Sequence, residues 1–151
     1  MSDEPVSVLF ACTANALRSP LAAALLQLRL GPLVHVESVG VRPGALVDGM
    51  AAAVADELGA DILDHEPRGL EELLEEREGK PLFDLVITLS PEAHHVILDR
   101  LGEFAHEAEY WPSYDPSVCE GSREQRLEEY RLLRDDLDQR IAKRFARPST
   151  A

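Results

Sequence analysis

Apolar and polar positions alternate along this chain in two rhythms, one of strand type and one of helix type. Val6 to Ala11 is an almost continuous apolar run, the pattern of a parallel strand buried on both faces. Leu21 to Leu30, rich in Ala and Leu, predicts a first helix that Gly31-Pro32 stops. Leu33 to Ser38 reads as a second strand and Gly40 to Gly44 as a loop. Val47 to Leu58 predicts a second helix ended by Gly59, and Ile62 to Pro67 is a connector. Leu70 to Glu78 reads as a short helix whose glutamates, Glu71, Glu72, Glu75 and Glu76, form a solvated face. Gly79-Lys80-Pro81 breaks it, and Phe83 to Leu89 is the strongest strand signal after the first. Ser90-Pro91-Glu92 carries a cap candidate, a proline and an acid, so it starts a helix. That helix runs to about Leu101, with Val96, Ile97 and Leu101 on one face. Ala108 to Trp111 is a short fourth strand, and Pro112 to Ser122 a loop. Arg123 to Phe145 repeats Leu127, Tyr130, Leu133, Leu137 and Ile141 at helical spacing, a core-facing stripe before the tail Arg147 to Ala151.

Strand and helix alternate throughout. The fold class is therefore α/β, with an open four-stranded parallel sheet flanked by helices and joined by right-handed crossovers. There is no repeat, low-complexity segment or linker, so residues 1–151 read as a single domain. Ligands of such sheets sit at the carboxyl ends of the strands. The loops after strands one and four both open there, which places Cys12 and Asp115 on one rim.

Charge narrows the function. The 151 residues carry a formal net charge of −13. That argues against nucleic acid and does not favour an anionic membrane surface. It also opposes long-range steering of an anionic substrate, so a phosphate site here must work through local donors. The start, Met1-Ser2-Asp3-Glu4-Pro5, lacks a basic region, and no signal peptide is expected. No apolar run approaches the ~18 residues of a membrane span. The two cysteines, Cys12 and Cys119, make neither a disulfide framework nor a zinc pattern. A cytoplasmic, reducing location is the expectation, with no metal and no cofactor.

The chemistry-bearing stretch joins the first strand to the first helix: Cys12-Thr13-Ala14-Asn15-Ala16-Leu17-Arg18-Ser19-Pro20. Backbone N–H groups at a helix N-terminus favour an anion and a thiolate. Arg18 adds a permanently charged fork matched to tetrahedral oxyanions. Ser19 can hydrogen-bond the sulfur, and Pro20 suits a first helical turn. The loop amides of Thr13, Ala14, Asn15, Ala16, Leu17 and Arg18 would hold the phosphoryl oxygens above Cys12, the nucleophile. Asp115 precedes Pro116, which presses it towards an extended conformation. It is the candidate acid for the leaving group and base for water.

This loop resembles the phosphate-binding loop of the low-molecular-weight protein tyrosine phosphatases, whose superfamily includes the thioredoxin-coupled arsenate reductases. The resemblance implies the same four-stranded fold, with the phosphate-binding loop between first strand and first helix. Asp115-Pro116 matches the Asp-Pro both families carry before the last helix. Asn15 and Ser19 resemble the family asparagine and serine that shape the loop and contact the sulfur. Ser38 matches the family Ser-x-Gly after strand two, and His65 a histidine after the second helix, both networked to the asparagine. The chain departs in having Ala14 where glycine is usual, Leu17 where a second cysteine is frequent, and Ser117 where the phosphatases often place a tyrosine. Trp111 or Tyr114 could supply an aromatic wall instead. His94 and His95 read as structural.

The implied function is a cysteine-dependent phosphatase acting on a phosphorylated protein or small phosphomonoester, with phosphotyrosine or an aryl phosphate as the expected substrate. An arsenate reductase using thioredoxin or glutathione is the first alternative. Val86-Ile87-Thr88-Leu89, Glu120-Gly121 after Asp115-Pro116, and Arg134-Asp135-Asp136 lean that way. The reductases, however, carry a cysteine after the third strand, where this chain has Leu89-Ser90-Pro91, leaving Cys119 as the other thiol. The second alternative is a phosphate- or phosphoprotein-binding module with little turnover. Its motive is that an alanine at 14 would strain a loop position needing positive φ.

Overall fold

The computed structural model describes residues 6–146; the acidic start, 1–5, and the tail, 147–151, lie outside the described residues. Four strands, β1 (Val6–Cys12), β2 (Val34–Gly40), β3 (Phe83–Thr88) and β4 (Ala105–Tyr110), form one sheet in the order β2-β1-β3-β4. Every neighbouring pair is parallel. The helices are α1 (Arg18–Leu30), α2 (Gly49–Glu57), α3 (Leu70–Glu76), α4 (Pro91–Asp99), α5 (Leu101–Phe104) and α6 (Arg123–Arg144). No helix among the described residues is long and apolar enough to cross a membrane.

The unbroken apolar run of β1 has a direct cause. Its side chains alternate between two cores, one on each face of the sheet. Val8 and Phe10 pack with Leu25 of α1, Val54 of α2 and Leu137 of α6. Leu9 and Ala11 pack on the other face with Leu73 of α3 and Ile97 of α4. The chain leaves β1 towards β2 on one side and returns to β3 on the other. The strand order therefore reverses beside the carboxyl end of β1, where an open parallel sheet leaves a crevice. Thr13 follows β1 and Ser90 follows β3, and their hydroxyls meet across this crevice at 3.0 Å.

Most boundaries lie within two residues of the sequence reading, and three differ by more. The fourth strand begins at Ala105 rather than Ala108 and ends before Trp111. It is an edge strand pairing with β3 alone, so His106 and Glu107 face solvent and break the apolar pattern. The helix after β3 divides at Arg100, whose guanidinium binds Glu103 and Glu71. The first helix begins at Arg18 rather than Leu21, so Arg18 and Ser19 lie in its first turn.

One glycine sets how closely β2 approaches the loop after β1. Gly40 pairs with Cys12, and a Cβ there would lie 2.8 Å from the Ala14 carbonyl carbon and 2.8 Å from the Asn15 nitrogen. These are backbone atoms, so relief requires the loop itself to move. Gly40→Ala is expected to cost about 1–3 kcal/mol, as overpacking does. Urea denaturation measures it, and unchanged stability would show that the loop yields freely.

Candidate active site

The segment between β1 and α1 turns its carbonyls outward. The carbonyl of Cys12 accepts from Val41 N–H, that of Thr13 from Arg42 N–H, and that of Ala14 from Gly44 N–H. The Asn15 carbonyl accepts from His65 Nε2 at 2.9 Å, the Ala16 carbonyl from Asp48 N–H and the Leu17 carbonyl from Leu21 N–H. Across a trans peptide the carbonyl and the next N–H point in opposite directions, and no peptide among the described residues is cis. The N–H groups of residues 13–18 are thereby turned away from their anchored carbonyls, to the concave side. Leu17 at the N-cap of α1 supplies no side-chain acceptor, whereas Asp48, Ser90 and Ser122 cap α2, α4 and α6. The start of α1 thus keeps donors available to an anion.

Cys12 sits at the floor of this loop, 2 % exposed. The Asn15 N–H points at its sulfur at 3.3 Å. Ser19 Oγ lies 2.9 Å from Sγ. Asn15 Nδ2 donates to Ser19 Oγ at 2.8 Å, and the single Ser19 hydroxyl hydrogen has two acceptors in reach, Cys12 Sγ and the Val39 carbonyl at 3.4 Å. The sulfur thus faces a backbone N–H and a hydroxyl.

Asn15 holds the turn. Its φ of 53° is the one positive value for a non-glycine among the described residues, and asparagine tolerates that region better than most side chains. Its buried amide is fully engaged. Nδ2 also donates to Ser38 Oγ at 2.9 Å, and Oδ1 accepts the Arg68 N–H at 2.9 Å. Ala14 has no positive φ, so the strain foreseen for an alanine at that position is absent.

A cavity of about 230 Å³ opens above the sulfur, lined by the loop, Arg18, Asp48, Asp115 and Ser117. Arg18 Nη1 donates to the Ser113 carbonyl at 3.0 Å, which ties the guanidinium to the loop after β4. Asp115 caps the short turn Pro116–Val118, accepting from Ser117 N–H at 3.0 Å and Ser117 Oγ at 2.6 Å. A larger cavity, about 570 Å³, lies behind the loop supports beside His65 and Arg68 and does not include Cys12.

The low molecular weight phosphotyrosine protein phosphatase family model matches residues 7–146. The chain belongs to that family. It is 30% identical over 139 residues to an arsenate reductase of Halalkalibacterium halodurans, a match spanning 92% of this chain and 94% of that one. The YwlE arginine phosphatase of Geobacillus stearothermophilus superposes with a TM-score of 0.72 at 27% identity, over 92% of this chain and 90% of that chain. A low molecular weight protein tyrosine phosphatase of T. tengcongensis gives a TM-score of 0.71 at 27% identity, over 91% and 96%. Family members thus include phosphatases and arsenate reductases, both enzymes.

Within this family frame, Cys12, Arg18 and Asp115 line one cavity, and Asn15, Ser19, Ser38 and His65 form one network. Neither Trp111 nor Tyr114 lines the cavity; Trp111 instead packs edge-on against Phe10, with ring centroids 6.1 Å apart. His94 bonds Thr88 Oγ1 at 2.8 Å and stacks on Tyr110, a packing role. Two residues escaped the sequence reading. Asp48 lines the cavity, caps α2 and accepts the buried Tyr130 hydroxyl at 2.7 Å; burial and that carboxylate push the Tyr130 phenol well above its usual range. Arg68 holds Asn15 through its backbone and donates side-chain bonds to the Ser38 carbonyl and to Glu37. On Glu37, burial favours the neutral acid, but hydrogen bonds from Arg68 and His35 outweigh it and hold the carboxyl below its usual range. The helix expected from Val47 took in Asp48; aspartate is a capping type that could have marked it, but nothing local announced Arg68.

His65 gives the site a pH dependence. Burial lowers its pKa below 6.5, with the Asn15 carbonyl opposing and Arg68 adding to the effect. A depressed histidine binds fewer protons folded than unfolded, so stability falls as pH drops through about 6.5 and levels off below the folded value. His65→Gln retains an N–H donor without the titration. Between about pH 7.5 and 5.5 its melting temperature should fall less than that of the wild type; equal falls would place the acid sensitivity elsewhere.

Proposed function

We propose that the protein is a cysteine-dependent phosphatase that works through a cysteinyl-phosphate. The observation that supports this reading is the carbonyl-out loop, which offers a ring of N–H donors above a sulfur that faces a backbone N–H and a hydroxyl. Phosphoryl transfer needs mainly positioning and neutralisation of charge on three equatorial oxygens, and loop amides plus Arg18 supply both. Cys12 Sγ attacks phosphorus, the bond to the leaving oxygen breaks, and protonated Asp115 delivers its proton to that oxygen. Water then attacks phosphorus while the Asp115 carboxylate takes its proton. The S–P bond breaks, phosphate departs and the thiolate returns. Asp115 occupies the wall of the same cavity as Cys12, as both roles require.

The arsenate reductase relative supports a second reading on the same cradle. Against it stands the thiol inventory. After β3 the chain has Ser90, whose hydroxyl caps α4 and meets Thr13. Cys119 bonds the neighbouring Glu120 carbonyl and is not among the cavity-lining residues. A disulfide relay therefore lacks a partner positioned beside Cys12.

Hydrolysis of p-nitrophenyl phosphate tests the phosphatase reading. Cys12→Ser should abolish turnover, and Asp115→Asn should lower kcat about 10²–10⁴-fold. Arsenate-dependent thiol oxidation with thioredoxin or glutathione, lost in Cys119→Ser and without phosphate-ester turnover, would replace this reading with the reductase.

A further inference from the structure

A cavity of about 580 Å³ lies between the end of β4 and the last turns of α6, and it shares no lining residue with the cavity above Cys12. Small-ligand pockets span about 300–1,000 Å³ and combine an apolar lining with a few placed polar groups. Here Tyr110, Trp111 and Pro112 supply the apolar part, and Arg140, Lys143 and Arg144 of α6 the polar part. Three of the chain's 15 lysines and arginines thus meet at one place in a protein of net charge −13. No carboxylate of the described residues lines the cavity. The helix dipole favours cations in a last turn, which accounts for Lys143 and Arg144 there. It does not account for Arg140 or for the aromatic lining.

The aromatic lining is fixed in advance. His94 stacks on Tyr110 with ring centroids 4.4 Å apart, and Phe10 meets Trp111 edge-on. The Trp111 backbone N–H donates to the Thr88 carbonyl at 2.8 Å. A ligand would have little to order on that side, which favours binding. The charges are engaged only in part. Glu109 accepts from Arg144 Nε at 2.7 Å and from Trp111 Nε1 at 3.2 Å. Asp136 lies 3.3 Å from Arg140 Nε, an i,i+4 pair at the surface that contributes little. Among the described residues, no hydrogen bond engages the Nη groups of either arginine or Lys143 Nζ.

We propose that this cavity is a ligand site separate from the one above Cys12, and that it takes a small organic anion. A flat apolar body lies against Tyr110, Trp111 and Pro112, and a carboxylate, sulfonate or phosphate group meets Arg140, Lys143 and Arg144. Guanidinium and ammonium groups bind such oxyanions through charge-assisted hydrogen bonds. The site adjoins the catalytic one through the chain itself: Ser113, which follows Pro112, offers its carbonyl to Arg18 Nη1 at 3.0 Å. It involves no catalytic step and stands whichever reaction Cys12 performs.

Fluorescence titration with anilinonaphthalenesulfonate, an aromatic sulfonate that brightens when its rings leave water, tests the site. Phenylnaphthylamine, the same rings without the sulfonate, is the neutral control. The sulfonate should bind the folded wild type saturably. Arg140→Gln with Lys143→Gln should weaken it about tenfold, while phenylnaphthylamine binds both proteins equally. Lys80→Gln with Arg123→Gln removes the same charge elsewhere on the surface and should change sulfonate affinity less than about twofold. Excess orthovanadate, an anion of the size of the cavity above Cys12, should leave the sulfonate bound. Should the cavity variant melt early, Lys143→Gln alone, on an exposed side chain, should still weaken the sulfonate about threefold. No sulfonate binding, an affinity unchanged in the cavity variants, an equal loss in the surface variant, or displacement by orthovanadate would overturn the proposal.

Discussion

The site rests on the anchoring of six consecutive carbonyls, those of residues 12–17, by donors outside the loop or one turn into α1. A peptide group cannot present both its ends to the same side. Fixing the carbonyls therefore fixes the amides, and a concave row of N–H groups follows without any side chain reaching an anion. Such preorganised dipoles need no rearrangement when charge develops on a bound phosphoryl group. The anchors come from separate places: the segment 41–48 after β2, His65 beyond α2, and α1 itself. The cradle is thus a product of the tertiary fold, and an isolated loop of the same sequence would not hold it.

On the proposed reading the protein's overall charge works against an anionic ligand, and the loop after β1 answers with short-range donors. A field from −13 charges is screened over about 8–10 Å at physiological salt, whereas N–H donors and the Arg18 guanidinium act at contact. Much of the remaining arginine is committed elsewhere. Arg68 and Arg77 serve Glu37 behind the loop, and Arg131 and Arg134 serve Glu57, holding that carboxyl at about 2. The Arg131–Glu57 pair is partly exposed and adds little stability, whereas Arg68, Arg77 and Glu37 are each less than a fifth exposed. Arg68 differs because its backbone, not its charge, touches Asn15.

Much of this was legible in the sequence, and the rest was hidden for physical reasons. The continuous apolar run of β1 announced a strand buried on both faces, and the switch to an Ala/Leu-rich helix announced the loop between them. Asn15, Ser19, Ser38 and His65 act through side chains, so the family resemblance could be carried onto them residue by residue. The carbonyl anchors at Val41, Arg42 and Gly44 act through backbone N–H groups, which any residue but proline offers, so composition cannot mark them. Asp48 fell inside the helix expected over Val47 to Leu58, whereas it is the cap of α2; its place in the cavity wall depends on how α2 packs against the loop. β4 was misplaced because an edge strand leaves one side of its backbone unpaired and so needs no apolar run.

A crystal structure of the protein with orthovanadate tests the cradle most directly. Vanadium should be bonded to Cys12 Sγ, with its equatorial oxygens within hydrogen-bonding distance of the N–H groups of residues 13–18 and of the Arg18 guanidinium. An anion bound away from Cys12, or one contacted by side chains while those N–H groups point elsewhere, would contradict the claim that the anchored carbonyls build the site.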